Sequence, residues 1–269
     1  MGFLTDLVAT IRRDLRDRPL DVARLRDEAD ARPPSRPLGQ ALREADGPAV
    51  IAEVKRASPS AGSIRADADP AATAAAYAAG GAAAISVLTE PRYFRGSLDD
   101  LARVRAVVDL PLLRKDFVVH PDQILEARSA GADSILLIVS CLGPEELDQL
   151  LGVSSSLGME PLVETHSDED LERALSTDAI VIGVNARDLE SLEVDVPSAL
   201  GRLRRIPRDR VAVLESGIRS PDDVPAAVAS GATAVLVGET LMRANDPAAA
   251  VGELLGGRAS AELERRARA

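Results

Sequence analysis

Short apolar, β-branched runs recur along most of the chain. They are PAVIAEV (48–54), AAISVL (83–88), PLLR (111–114), SILLIV (134–139), EPLVE (160–164), AIVIGVN (179–185), VAVLE (211–215) and TAVLVG (233–238). Each is apolar nearly throughout rather than alternating, as expected of parallel strands buried on both faces. The segments between them carry helical spacing and recognisable starts at Asp69-Pro70, Ser97-Leu98-Asp99-Asp100, Gly143-Pro144-Glu145-Glu146 and Ser220-Pro221-Asp222-Asp223. Proline at the first helical position fits the missing donor there, and acids in the first turn fit the helix dipole. Ala79-Gly80-Gly81-Ala82, Ala130-Gly131-Ala132-Asp133 and Ser230-Gly231-Ala232-Thr233 each precede a strand, with glycine as the left-handed end of a helix. A βα unit repeated eight times predicts an α/β fold, a single closed (β/α)8 TIM barrel. A doubly wound open sheet is the competing architecture, and the absence of a dinucleotide fingerprint favours the barrel.

The first 47 residues break this rhythm. Positions 4, 7, 8, 11 and 15 form one apolar helical stripe within Phe3 to Arg16. Val22 to Ala31 and Leu38 to Ala45 read as two more short helices, separated by Arg32-Pro33-Pro34-Ser35. The expected organisation is a helical extension over 1–47 packed on a catalytic barrel over 48–256, then a charged tail over 257–269. The 269 residues fit one barrel, a fold that uses about 250.

Composition narrows the function. The net charge of −11 argues against a nucleic-acid or anionic-membrane partner. One cysteine, Cys141, permits no internal disulfide, and two histidines, His120 and His166, leave little for a metal centre; with no Walker A, GxGxxG, GxSxG or HExxH pattern either, neither metal nor cofactor is expected. Both histidines fall in predicted loops or helix starts, where an exposed or capping role is expected. Cys141 reads as a small buried residue near the end of the fourth strand. Charge interrupts the first 18 residues every few positions, which argues against a signal peptide or membrane span and makes the cytoplasm the expected compartment. Of 32 basic residues only two are lysines, Lys55 and Lys115. An amine can be tuned by burial where a guanidinium cannot.

In a barrel of this kind, polar residues at the C-terminal strand ends and in the following loops form the active site. The first strand ends in Glu53-Val54-Lys55-Arg56, followed by Ala57-Ser58-Pro59-Ser60. Later strands end at Thr89-Glu90, Arg114-Lys115-Asp116-Phe117, Glu164, Asn185 with Arg187, Glu215-Ser216-Gly217 and Gly238-Glu239. Both lysines thus face one predicted cavity, as do two carboxylates, Glu53 and Glu164, set in otherwise apolar strands. A charge buried in a strand must be paired or point into the barrel mouth. A buried ion-pair layer without chemistry explains one such residue, but less readily two Lys, two Glu and an Asn converging from four strands. Ser216-Gly217 and Gly238-Glu239 follow the last two strands, where small residues let backbone N–H groups approach a phosphate. Tyr93, Phe94 and Phe117 cluster on the same rim and suit an aromatic part of a ligand.

At these strand ends the sequence resembles the indole-3-glycerol-phosphate synthase family. The resemblance runs from about Val50 to Met242. It is carried by Ile51-Ala52-Glu53-Val54-Lys55-Arg56-Ala57-Ser58-Pro59-Ser60, Ser86-Val87-Leu88-Thr89-Glu90, Leu113-Arg114-Lys115-Asp116-Phe117, Asn185-Ala186-Arg187-Asp188-Leu189, Leu192-Glu193-Val194-Asp195 and Glu215-Ser216-Gly217-Ile218. The resemblance implies cyclisation of 1-(2-carboxyphenylamino)-1-deoxyribulose 5-phosphate, with loss of CO2 and water, to indole-3-glycerol phosphate. It implies Lys115 as general acid on the ketone oxygen and Glu164 as proton-transfer partner. Lys55 would meet the substrate carboxylate or departing hydroxyl, with Glu53 holding it. Asn185 would hydrogen-bond the reacting oxygen region, supported by Arg187. Ser216, Gly217, Gly238 and the backbone of Glu239 would bind phosphate, Ser216 being counted with the catalytic group as well. Phe94, Phe117 and Pro59 would line the anthranilate ring, with Ser58 beside them. A pKa of Lys115 lowered by Arg114 and Lys55 is expected to suit it to proton transfer. Ala61 departs from the basic residue of many relatives in the first loop, and Ala186 and Asp188 vary the sixth-strand motif; none removes a reacting group. A phosphosugar partner and a monomeric enzyme complete the expectation.

Three other readings use the same residues. A phosphoribosylanthranilate isomerase shares the fold and phosphate site but needs no pair of strand-end lysines. A Schiff-base aldolase would use Lys115 or Lys55 as nucleophile, and a covalent adduct trapped by borohydride would reveal it. A non-catalytic phosphosugar-binding scaffold would bind without turnover.

Overall fold

The structure, a computed structural model, describes residues 2–256; the charged tail expected over 257–269 lies outside the described residues. Eight parallel strands close into a barrel, each paired with its neighbours in the sequence. They are β1 (Ala49–Val54), β2 (Ala84–Leu88), β3 (Leu112–Lys115), β4 (Ser134–Ile138), β5 (Leu162–Thr165), β6 (Val181–Asn185), β7 (Val211–Glu215) and β8 (Ala234–Val237). Closure comes from β1 against β8, with Ala49 opposite Ala234 and Ala52 opposite Val237.

The outer layer contains α4 (Pro70–Ala79), α5 (Leu98–Arg105), α6 (Pro121–Ser129), α7 (Pro144–Ser156), α8 (Asp168–Leu175), α9 (Val196–Leu203) and α10 (Val224–Ala229). After β8 come α11 (Glu239–Arg243) and α12 (Pro247–Leu254). Their starts follow the sequence chemistry. Asp69 accepts the Ala72 N–H at 2.8 Å and Ser97 that of Asp100 at 3.1 Å, each satisfying a donor the helix leaves open. His120 caps α6 through Nδ1, as expected of a capping histidine. Ser220-Pro221 opens a 3-10 turn, Pro221–Asp223, before α10 rather than an α-helix directly. Gly81, Gly131 and Gly231 have φ of 95°, 99° and 100°, the left-handed conformation that reverses each chain segment into its strand.

Strand alternation divides the core in two. Val50, Ala52, Ile85, Leu112, Ile135, Val163, Ile182 and Leu214 face the helices. Ala49, Ile51, Ala84, Leu113, Leu136, Leu162, Val181, Val213 and Leu236 fill the barrel interior. Helices of the extension pack at both ends of that interior. At the N-terminal end, α3 (Leu38–Arg43) inserts Leu38 and Leu42, and the Gly39 N–H donates to Glu160 at 2.8 Å. At the other end, α1 (Phe3–Asp17) packs Leu4 and Leu7 into the cluster that holds Phe117 and Ile138. Arg12 pairs with Glu146 of α7 at 2.9 Å, and Asp14 with Arg92 beyond β2. The remaining helix, α2 (Val22–Asp30), packs Leu25 and Ala29 on Leu125 of α6.

Candidate active site

The inward parity of each strand continues past the apolar layers and ends in polar residues. On β1, Ala49 and Ile51 are followed by Glu53 and then Lys55. On β3 Leu113 is followed by Lys115, on β5 Leu162 by Glu164, and on β7 Val213 by Glu215. The same step leads to Asn185 past Val181 and Gly183 on β6, and to Gly238 past Leu236 on β8. The polar residues of this series, with Leu236 and Gly238, line one cavity of about 620 Å³ at the C-terminal end of the barrel. So do Ser58, Pro59, Phe94, Phe117, Arg187, Ser216, Gly217 and Glu239, so that every site residue expected from the sequence lies on it.

The amines are held by carboxylates. Lys55 Nζ lies 2.6 Å from Glu53 Oε1. Lys115 Nζ donates to Glu164 Oε2 at 2.9 Å and lies 3.3 Å from Glu215 Oε2. Glu215, expected at a strand end but given no role of its own, lines the same cavity. The signal was present, since VAVLE ends a strand in the same way that PLVE does at Glu164. Gly183 explains how it fits. A Cβ there would stand 2.2 Å from Glu215 Oε1, so the strand gives up a side chain to admit the carboxyl. Gly238 does the same for the first pair, since a Cβ would meet Glu53 Oε1 at 2.4 Å and Lys55 Nζ at 3.1 Å.

This arrangement corrects the expected acidity of Lys115. Desolvation alone lowers its pKa, but Glu164, Glu215 and Glu53 outweigh burial and raise it above the ordinary lysine value. Arg114 does not crowd it, because adjacent strand residues face opposite sides. The Arg114 guanidinium turns outward to Asp116 at 3.0 Å, Glu126 at 2.8 Å and the Gln123 carbonyl at 2.9 Å. Burial would raise Glu164, yet Lys115 and His166 hold it well below the usual carboxylate range. Glu215 goes the other way: burial and the neighbouring Glu164 charge raise it well above that range, despite Lys115.

His166 departs from the exposed or capping role expected of it. Its side chain is 9% exposed, and Nε2 lies 3.1 Å from Glu164 Oε1. Cys141, partly buried in the turn after β4, has its thiol pushed up to about 12, chiefly by burial.

The loops are fixed by groups at their roots. Glu90, buried, accepts the N–H groups of Arg92, Tyr93 and Phe94 at 2.9, 2.7 and 3.2 Å. This turns Phe94 toward Phe117, with ring centroids 6.3 Å apart, whereas Tyr93 is exposed and outside the cavity lining. Arg56 binds Asp100 through two hydrogen bonds of 2.6 and 2.9 Å, and its carbonyl accepts the Ile64 N–H at 2.8 Å. Between them lies a hairpin, Ala57–Ser58 against Gly62–Ser63, which the sequence did not announce. The Asn185 side-chain oxygen accepts the Arg187 N–H at 3.0 Å, and Arg187 donates to the Leu192 carbonyl at 2.8 Å. Ser216 and Gly217 both have positive φ, 64° and 85°, a turn that is costly for a serine. Thr240 ties this loop to α11 by donating to the Ile218 carbonyl at 2.8 Å. The Glu239 side chain is taken by Arg243 at 3.0 Å, leaving its backbone on the cavity.

Amines and carboxylates set on the strand ends around a single cavity define an acid–base enzyme of the (β/α)8 class. The family model for indole-3-glycerol phosphate synthase matches residues 4–254. The chain is 50% identical over 254 residues to the indole-3-glycerol phosphate synthase of Mycobacterium avium (strain 104), covering 94% of this chain and 93% of that one. It is 49% identical over 257 residues to the enzyme of Streptomyces griseus, covering 95% of each. The chain belongs to the indole-3-glycerol phosphate synthase family, carboxy-lyases of tryptophan biosynthesis. A solved 3-hexulose-6-phosphate synthase superposes with a TM-score of 0.61 at 17% identity, over 77% of this chain and 98% of that one, a likeness of fold.

Proposed function

We propose that this chain closes the indole ring of 1-(2-carboxyphenylamino)-1-deoxyribulose 5-phosphate with Lys115 as the general acid. The observation that carries the reading is Lys115 between Glu164 and Glu215. Attack of the aromatic ring on a ketone needs a proton delivered to the carbonyl oxygen, and a fully charged ammonium supplies it. Its raised pKa keeps it charged at neutral pH and disfavours the aldolase reading, which needs a free amine. Glu164, ionised beside it, takes part in the proton transfers that follow. Glu215, held neutral, has a proton to give or share with Glu164.

Lys55, positioned by Glu53, meets the substrate carboxylate or the departing hydroxyl. Phe94 and Phe117 with Pro59 accommodate the anthranilate ring, and Ser58 contributes from the same loop. The Ser58 oxygen is partly engaged, accepting the Ala61 N–H at 3.1 Å. Asn185 serves the reacting oxygen region, with Arg187 steadying its loop. Backbone groups of Ser216, Gly217, Gly238 and Glu239 receive the phosphate. Loss of CO2 restores the aromatic ring without a cofactor. The reading includes a monomer in the cytoplasm. Among the described residues no helix is long and apolar enough to cross a membrane, and gel filtration tests the monomer.

The test follows the purified protein with the carboxyphenylamino-deoxyribulose phosphate by indole fluorescence, alongside Lys115→Ala. The chain has no Trp, so the signal belongs to product. Signal from the parent and none from the folded variant is the expected result. Equal signal from both would remove Lys115 from the reaction.

A further inference from the structure

His166 is a buried titratable side chain that the chemistry above leaves without a task. It follows β5 directly, and its backbone N–H donates to Asp170 in the first turn of α8 at 3.1 Å. Its Nε2 stands 3.1 Å from Glu164 Oε1, while the opposite oxygen of that carboxylate, Oε2, takes Lys115 at 2.9 Å. Both ring nitrogens are buried and neither completes a hydrogen bond of good geometry among the described residues, so the approach of Nε2 to Oε1 is a close polar contact.

These positions determine where the imidazole carries its proton. A nitrogen lone pair facing a carboxylate oxygen at this distance is repelled, so Nε2 bears hydrogen. The neutral tautomer then leaves only an acceptor unpaired at Nδ1, which costs less than stranding an N–H there. Glu164 is therefore approached by a proton-bearing nitrogen at each oxygen. Rotation of its carboxyl would break both contacts, so Oε2 stays turned to Lys115, which lines the cavity beside it.

We propose that His166 is a positioning residue that occupies Glu164 Oε1 and so fixes Oε2 toward Lys115 and the substrate. The inference rests on the reading of Glu164 as the proton-transfer partner. An imidazole acting from behind a reacting carboxylate affects the chemical step and not the binding of substrate.

The experiment compares the parent with His166→Leu, His166→Gln and Glu164→Gln, and with the double variant, by indole fluorescence under steady state. Leucine keeps volume without a donor. Glutamine places an N–H near the position of Nε2. For His166→Leu, kcat is expected to fall about 10- to 100-fold, the usual effect of removing an orienting partner, with KM within about twofold. His166→Gln is expected to restore kcat to within about threefold of the parent, and His166→Leu to have no further effect in the Glu164→Gln background. Should His166→Leu fail to fold, His166→Asn replaces it, since its amide is too short to reach Oε1. Parental kcat in the folded variant without a donor, with Glu164→Gln inactive, overturns the role of His166 and leaves that of Glu164 intact. Equal loss in the Leu and Gln variants, with equally lowered melting temperatures, also overturns it, because packing alone then accounts for His166. Full turnover by Glu164→Gln removes the reading of Glu164 on which the inference rests.

Discussion

Replacing Lys115 with Met keeps the length of the side chain and removes the cation from between Glu164 and Glu215, and its cost should depend on pH. In the parent Lys115 is charged in both folded and unfolded states between pH 6.5 and 8.5, since its pKa is raised from an ordinary 10.5. Its stabilising contribution is thus constant across that window and is lost only at higher pH. In the variant the buried carboxylates have no ammonium, and the native state must take up one proton beyond the one that Glu215 already favours in the parent. For a carboxyl with an ordinary value of 4.5, that uptake costs about 1.4 kcal/mol for each pH unit above it, or about 4 kcal/mol at pH 7.5. A cost of this size lies within the range of about 3–5 kcal/mol for breaking a buried ion pair. The slope is the same whichever group of the cluster receives the proton. The variant should therefore lose about 2.7 kcal/mol more at pH 8.5 than at pH 6.5, which is about 8 °C in melting temperature at roughly 3 °C per kcal/mol. Thermal melts of both proteins at the two pH values measure it, and turnover by the variant should be lost at both. A melting difference that stays flat across the window would refute Lys115 as the counter-ion of this cluster.

Three other outcomes follow from the same geometry. Lys115→Arg should melt close to the parent yet show no indole fluorescence, because a planar guanidinium pairs with the carboxylates but is a far weaker proton donor; normal turnover would exclude Lys115 as the acid. Gly183→Ala should lower kcat at least about tenfold and stability by about 1–3 kcal/mol through overpacking against Glu215, and a Glu215→Ala background should relieve the stability loss, as a double-mutant cycle by denaturant melts will show. Asp100→Asn should weaken the grip on Arg56, raise KM more than it lowers kcat, and cost about 2 kcal/mol as a charged hydrogen bond is lost; unchanged KM in steady-state kinetics would release the β1 loop from that anchor.

The parts of the fold that depend on local chemistry were legible in the sequence. Asp69-Pro70 and Ser97 start helices in any context, because an open N–H needs a nearby side-chain oxygen. The continuous apolar runs require burial on both faces and so a parallel sheet covered by helices, and eight such units favour the closed barrel over an open sheet. Cavity residues such as Glu53, Lys55 and Glu164 could be read because a charge in such a run must either be paired, as Arg114 is, or face the mouth. Glu215 ends its run just as Glu164 does, and it was given no role because its pairing with Lys115 joins β7 to β3 across the barrel, a tie that local sequence does not show. Arg114 and Lys115 were read as one cationic site because sequence adjacency conceals that successive strand residues face opposite sides. His166 was misplaced for a related reason: the residue after a strand is commonly exposed, whereas His166 continues the inward parity of Leu162 and Glu164 and so lies against the Glu164 carboxylate. The Ala57–Ser58 hairpin depends on Arg56 and Asp100, 44 positions apart, a tie that local sequence does not show.

The missed carboxylate changes how the cavity can accept its substrate. Two amines face three carboxylates there: Glu53 neutralises Lys55, and Glu164 neutralises Lys115. An ionised Glu215 would leave the floor negative, opposed to a substrate carrying a carboxylate and a phosphate. Burial and the Glu164 charge instead favour the protonated form of Glu215 and so remove that surplus. The wall then presents two compensated amines and a neutral acid, while Arg187 and Arg219 on the same cavity supply the positive field for the anion. Gly183 and Gly238 make this charge arrangement possible, since a side chain at either would displace Glu215 or Glu53. Gly183 within β6 and Gly238 just past β8 therefore serve the electrostatics of the site, and the cost of the strand glycine, about 0.5–1 kcal/mol, is offset by a cluster able to accept an anion at neutral pH.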